Sequence, residues 1–194
     1  VRLKHLQGMD QDIEDMDVLL DEMLTYARLE AGAPSLKMVR VELNALIARV
    51  LKELAPLRPD IAVKHTSVEA GELWVDAEAR YLQRAVQNIV SNAQRYARSR
   101  VTVVCRVQHE LCYIAVEDDG QGIDEALREK VFMPFLRLDD SRTRASGGYG
   151  LGLAIVKRIM YWHSGRVRIE NSRVLGGARV VLVWPQHAES IADV

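Results

Sequence analysis

A chain of 194 residues with 48% hydrophobic side chains is long enough for one ordinary domain plus an extra element. Its 26 basic and 27 acidic residues give a net charge of −1, which argues against nucleic acid or an anionic membrane surface as the main partner. No apolar run reaches membrane-spanning length, and Cys105 and Cys112 lie in strand-like runs without a secretory leader ahead of them. A reduced compartment is favoured over a disulfide framework, with a hairpin disulfide as the alternative.

The first predicted element is a helix. Ile13, Met16, Leu20, Met23 and Ala27 step by three and four residues, and Gly32 and Pro34 stop the pattern. A stripe this narrow favours pairing with another helix, as in a coiled coil or bundle. The competing reading is an amphipathic helix lying on its own domain. A boundary is expected near Gly32–Ser35, giving segments 1–33 and 34–194.

Beyond it, strands and helices mix. A strand from Met38 to Val41 runs into a helix reaching about Leu57, and IAVKHTSV and ELWVD alternate as strands. Asp76 is expected to cap a helix from Ala77 to Tyr96, whose buried stripe is Leu82, Ala85, Val86, Ile89, Val90 and Ala93. VTVVCRVQ and LCYIAVED suggest a hairpin, and ARVVLVWP a last strand. The class is α+β, a two-layer sandwich with helices on one face of a mixed sheet.

Two stretches carry chemistry. SGGYGLGLAIVKRI, Ser146 to Ile159, sets four glycines before a helix, a pattern that suits an anion at unpaired first-turn N–H groups. It is not a Walker A loop, because Leu153 and Ala154 stand where Lys and Ser or Thr belong. Nor is it a dinucleotide fingerprint, which lacks both its last glycine and a preceding strand. On the helix ending at Tyr96, the residues Asn88, Asn92, Arg95 and Tyr96 share one polar face. VEDDGQGI then ends a strand at Asp118 and turns through Gly120 and Gly122. Each feature alone reads as ordinary helix surface or turn.

Together and in this order, NIVSNAQRY, DDGQG, FMPF, GYGLGL and GGA resemble the N, G1, F, G2 and G3 boxes of bacterial sensor histidine kinases. These share the Bergerat (GHKL) ATP-binding fold with gyrase B, Hsp90 and MutL. The likeness covers about Pro34 to Pro185, and DEMLTYARLEAG before it looks like the end of the kinase dimerisation hairpin. Within the family, the pattern is similar to RstB-type kinases.

The resemblance implies ATP and Mg²⁺ as ligands, with Asn92 holding the metal and Arg95 neutralising a phosphate. Tyr96 would pack near the purine, and Asp118 would accept from the adenine amino group. Gly120, Gly122 and Ile123 would pass close to the base, while Gly148, Gly150, Gly152, Leu151 and Leu153 would wrap the triphosphate. Leu138 to Tyr149 would form an ATP lid, anchored by Phe132 and Phe135 and flanked by Arg137. Asn88, also a nucleotide contact, stands where ATPases of this fold carry a water-activating Glu. An amide cannot take that proton, which favours transfer over hydrolysis. Ala178 replaces a hydroxyl residue common in relatives, leaving one phosphate-side hydrogen bond in doubt.

None of the five histidines sits in an H-E-x-x-x-P-like acceptor box, so the resemblance places the acceptor ahead of Val1. It further implies a homodimer, a response-regulator receiver as partner, and the cytoplasmic portion of an inner-membrane sensor whose membrane segments lie elsewhere. Two rival functions are an ATPase of the same fold and a non-enzymatic, nucleotide-gated dimerisation scaffold.

Overall fold

The computed structural model describes residues 2–32, 36–68, 71–137 and 148–188, with side chains from residue 12 onward. Helix α1 (Arg2–Glu30) comes first, then strand β1 (Val39–Glu42) and helix α2 (Leu43–Leu54), closed by a 3₁₀ turn at Ala55–Leu57. Strands β2 (Ala62–Ser67) and β3 (Trp74–Ala77) lead to helix α3 (Ala79–Tyr96). Strands β4 (Arg100–Gln108) and β5 (Leu111–Asp118), helix α4 (Gly152–Trp162) and strands β6 (Arg166–Asn171) and β7 (Ala178–Pro185) complete the order.

The main sheet runs β2-β4-β5-β7-β6, and a separate ribbon pairs β1 with β3. Only β2–β4 is parallel; the other pairs are antiparallel. The β4–β5 hairpin turns at His109 and Glu110, both left-handed (φ 51° and 59°), the backbone of a two-residue type I′ turn. Helices α2, α3 and α4 cover one face. The expected α3 stripe is the centre of the core: Leu82, Ala85, Val86, Ile89 and Val90 are fully buried, and Ala93 nearly so. The two cysteines are buried on β4 and β5 as thiols.

Three details differ from the sequence reading. The cap of α3 is Glu78, whose carboxylate accepts from the Tyr81 N–H at 2.8 Å. Asp76 cannot cap, because β1 pairing holds it in strand opposite Arg40; its carboxylate accepts from the Ala188 N–H at 3.1 Å instead. Strand β6 was not anticipated: Val167 and Ile169 alternate with Arg166, Arg168 and Glu170, an edge strand whose charges discourage further pairing. The two strands of the β1–β3 ribbon were expected, but not their pairing with each other.

One side of α1 lies on its own domain, as the competing reading had it, and the predicted stripe is on the other side. Ile13, Met16, Leu20 and Met23 are 43–61% exposed, so the predicted seam faces solvent. The other side packs on the domain: Leu29 is fully buried, Leu19 and Tyr26 lean on the core, and the Trp162 indole N–H donates to the Leu29 carbonyl at 2.9 Å. Arg158 Nε donates to Glu30 at 2.8 Å beside this contact. Among the described residues, no helix is long and apolar enough to cross a membrane.

Candidate functional site

Because Leu82 to Ala93 point α3 into the core, its flank carrying Asn88, Asn92 and Arg95 faces a cleft. The opposite wall is the end of β5, where Asp118 is 5% exposed. The third wall is the backbone of Gly148, Gly150 and Gly152, leading into α4.

Asp118 is held from behind. Its Oδ1 accepts from the Gly120 N–H at 2.8 Å and the Ala178 N–H at 3.2 Å. Burial pushes its carboxyl above the usual range, against the pull of those two N–H groups and with a further push from Asp119. Gly177 fits because a Cβ there would overlap both Asp118 Oδ1 and the Asp118 carbonyl. Ala178 therefore contributes through its backbone, whatever its missing hydroxyl would have done.

Asp119 does different work. It accepts from the N–H groups of Arg98 (2.8 Å), Ser99 (3.1 Å) and Arg100 (3.1 Å), and from the Ser99 hydroxyl (2.7 Å). These bonds hold its carboxyl far below the usual carboxylate range against a desolvation cost, and they tie the end of α3 to the turn that aims Asp118.

At the glycine wall, the Arg95 guanidinium lies so close over Gly148 that any Cβ would overlap it. Asn88 Nδ2 donates to the Gly152 carbonyl at 3.2 Å, fixing the α3–α4 spacing. The caps of α2 and α3 are carboxylates, Glu42 and Glu78, whereas α4 starts at Leu151 with no side-chain cap. Its first-turn N–H groups are left to another acceptor. The Asn92 amide makes no hydrogen bond among the described residues.

The expected site residues Asn88, Asn92, Arg95, Tyr96, Asp118, Gly122, Ile123, Arg137, Gly148, Tyr149, Gly150, Gly152 and Leu153 all line this cleft. Four others lie off its wall. Gly120 sits behind Asp118, packed on the Tyr96 carbonyl. Leu151 is fully buried in the core. Phe132 is buried, with Lys157 Nζ 5.3 Å from its ring centre, on the far side of the 3₁₀ turn Lys130–Phe132. Phe135 is 57% exposed, so it is no core aromatic; only its N–H reaches the site, donating to the Gly150 carbonyl at 3.0 Å. Of the expected lid, Leu138 to Tyr149, only Gly148 and Tyr149 fall among the described residues.

Sequence reasoning missed Val131, Leu136 and Val180, which add apolar wall, as well as Ser91, Gln121 and Glu22. Gln121 lies between two motif glycines and was legible by position. Glu22 was not, since α1 was assigned to another unit.

A family model for histidine kinase-, DNA gyrase B- and HSP90-like ATPases matches residues 77–188. The chain belongs to this family. It is 36% identical over 179 residues to the sensor protein RstB of Escherichia coli K12, covering 92% of this chain and 41% of that one. It is 32% identical over 188 residues to the sensor histidine kinase CpxA of the same strain, covering 96% and 41%. The chain thus spans about two fifths of the length of these relatives. A full-length structure of ShkA in complex with AMPPNP superposes with a TM-score of 0.83 over 94% of this chain and 38% of that one. At 22% identity that match speaks for the fold alone, which is the Bergerat sandwich of this family.

Proposed function

We propose that this chain is the ATP-binding catalytic part of a two-component sensor histidine kinase, moving the γ-phosphoryl of ATP to a histidine of the dimerisation hairpin for relay to a response regulator. The observation that carries the reading is the convergence of a buried carboxylate, an amide-guanidinium pair and an uncapped helix N-terminus on one cleft.

The residues fit an adenine nucleotide. Asp118 offers an acceptor at the bottom of the cleft for a purine amino group, and Ile123, Val131, Leu136 and Val180 supply flat apolar contact, with Tyr96 at the rim. Arg95 and the first turn of α4 suit phosphate oxygens. Asn92 Oδ1 is a neutral oxygen suited to Mg²⁺, which would neutralise charge on the phosphates. Asn88 cannot act as a general base, and its amide is engaged with Gly152. The position from which relatives of this fold activate water is thus without a base, which favours transfer to a protein acceptor over hydrolysis.

On this reading residues 1–33 belong to the dimerisation hairpin and 34–194 to the catalytic domain. The exposed seam Ile13, Met16, Leu20 and Met23 supports pairing with a second copy. The full protein would be a homodimer at the inner membrane, with this part on the cytoplasmic side and a receiver domain as its phosphoryl acceptor.

The test supplies Mg-ATP labelled at the γ-phosphate together with a separate hairpin bearing an acceptor histidine. Acid-labile label on that histidine, with little phosphate release over many turnovers, is expected. Sustained phosphate release without transfer would instead make the chain an ATPase, and neither reaction would make it a scaffold.

A further inference from the structure

One side chain in the cleft comes from outside the catalytic sandwich. Glu22 of α1 lines it alongside Asn88, Asn92 and Arg95. Its Oε2 is buried and has no hydrogen-bond partner among the described residues. The Asp21 carboxylate next to it accepts from Arg84 Nη1 of α3 at 2.6 Å. About two turns earlier on α1, the Asp15 carbonyl accepts from the Tyr149 hydroxyl at 2.7 Å. Glu22 lies on the same side of the helix as Leu19, Tyr26 and Leu29, which anchor α1 to the core. Its position is thus set from both ends and is not an incidental surface rotamer.

A carboxylate beside a guanidinium is chemically what a phosphate oxygen would be: an anionic acceptor in a partly desolvated site. Burial pushes the Glu22 carboxyl above its usual range, while the cations of Arg84 and Arg95 pull it back. Of the two, Arg95 lines the cleft and is the positive charge that Glu22 shares with any incoming anion. We propose that Glu22 is an internal anion at the phosphate end of the cleft, so that docking of α1 and binding of a nucleotide oppose each other in proportion to the nucleotide's phosphate charge. Linkage makes the opposition reciprocal: α1 weakens ATP by the factor by which ATP loosens α1. The idea rests on the reading of the cleft as an ATP site.

The test titrates adenosine, ADP and ATP, with Mg²⁺, into the full chain and its Glu22→Gln variant; Gln is a comparable helix former, so the fold is kept. The variant should bind ATP about tenfold more tightly, ADP about threefold, and adenosine unchanged. Hydrogen exchange across residues 12–30 of the unsubstituted chain should speed up with ATP and not with adenosine. Equal ATP affinity in both proteins, or equal tightening of all three ligands, overturns the proposal. So does weaker ATP binding by the variant, which would make Glu22 a metal ligand beside Asn92. Unchanged exchange in α1 at saturating ATP overturns it as well. Failure of the unsubstituted chain to bind any of the three would remove the ATP reading itself, and this inference with it.

Discussion

Asn92 is the side chain on which a bland and a functional reading diverge most. As a half-buried helix asparagine without a hydrogen bond among the described residues, it should be replaceable by Ala at no cost, or with a slight gain from helix propensity. As the oxygen ligand of Mg²⁺, its loss should be felt only when nucleotide is present. Asn92→Ala is expected to melt at or slightly above the parent temperature without ligand and to lose most of the stabilisation that Mg-ATP confers. Thermal melts with and without Mg-ATP decide it, and an undiminished ligand shift would remove Asn92 from the metal site. At this scale the sequence was informative wherever one helix set the spacing. Asn88, Asn92 and Arg95 could be placed on one face by counting, because α3 is an unbroken helix with a single buried stripe. Phe132 and Phe135 could not be resolved, since a three-residue 3₁₀ turn followed by a left-handed Phe135 (φ 64°) sends them in different directions.

Among the elements, α3 and α4 are joined by a buried imidazole that the function does not use. His163 Nδ1 stands 2.7 Å from the Ile159 carbonyl and must donate to it, so Nε2 is the acceptor for the Glu78 N–H at 3.1 Å. The ring is therefore neutral, and burial holds its pKa below the usual value, with the Ile159 bond and Glu78 opposing. A folded-state pKa below the unfolded value of about 6.5 means the unfolded chain binds more protons in the interval between them. This contribution to stability is complete above about pH 6.5 and is lost as pH falls toward the lowered value. His65, also shifted down by burial, acts in the same direction, so a variant is needed to separate them. His163→Leu should lose about 1–3 kcal/mol near neutral pH, through the orphaned Glu78 N–H. Its stability should also fall less steeply between pH 6.5 and 5. Denaturant unfolding across that range checks both, and an identical slope in the two proteins would exclude His163. Strand β6 was missed because alternating charges mask its pattern, although it pairs with the next strand across the short turn 172–177. Strands β1 and β3 were read from the sequence, but their pairing was not, because it joins segments on either side of α2 and β2. The same long-range pairing moved the α3 cap from Asp76 to Glu78.

For the whole molecule, the fold class and the buried stripe of α3 were legible because local periodicity and global packing agree there. The place of α1 was only half legible. Its apolar stripe pointed to a partner helix, while the contacts on the other side, at Leu29, Trp162 and Glu22, depend on where α4 and the cleft lie in space. The chain incubated alone with labelled Mg-ATP is expected to bind nucleotide without acquiring acid-labile phosphate, because none of its histidines lies in an acceptor box. Label mapped to any of them would overturn that expectation.

The central claim is that the base of an adenine nucleotide rests on Asp118, and titration of ATP and GTP into the chain and its Asp118→Ala variant tests it most directly. A hydrogen bond to a charged group contributes about 1.5–3 kcal/mol, so the variant should bind ATP roughly ten- to a hundredfold more weakly. The preference for ATP over GTP should fall with it, since the acceptor that reads the amino group is gone. Equal affinity of both proteins for both nucleotides would mean that Asp118 only shapes the turn between β5 and Gly122, and that the base sits elsewhere.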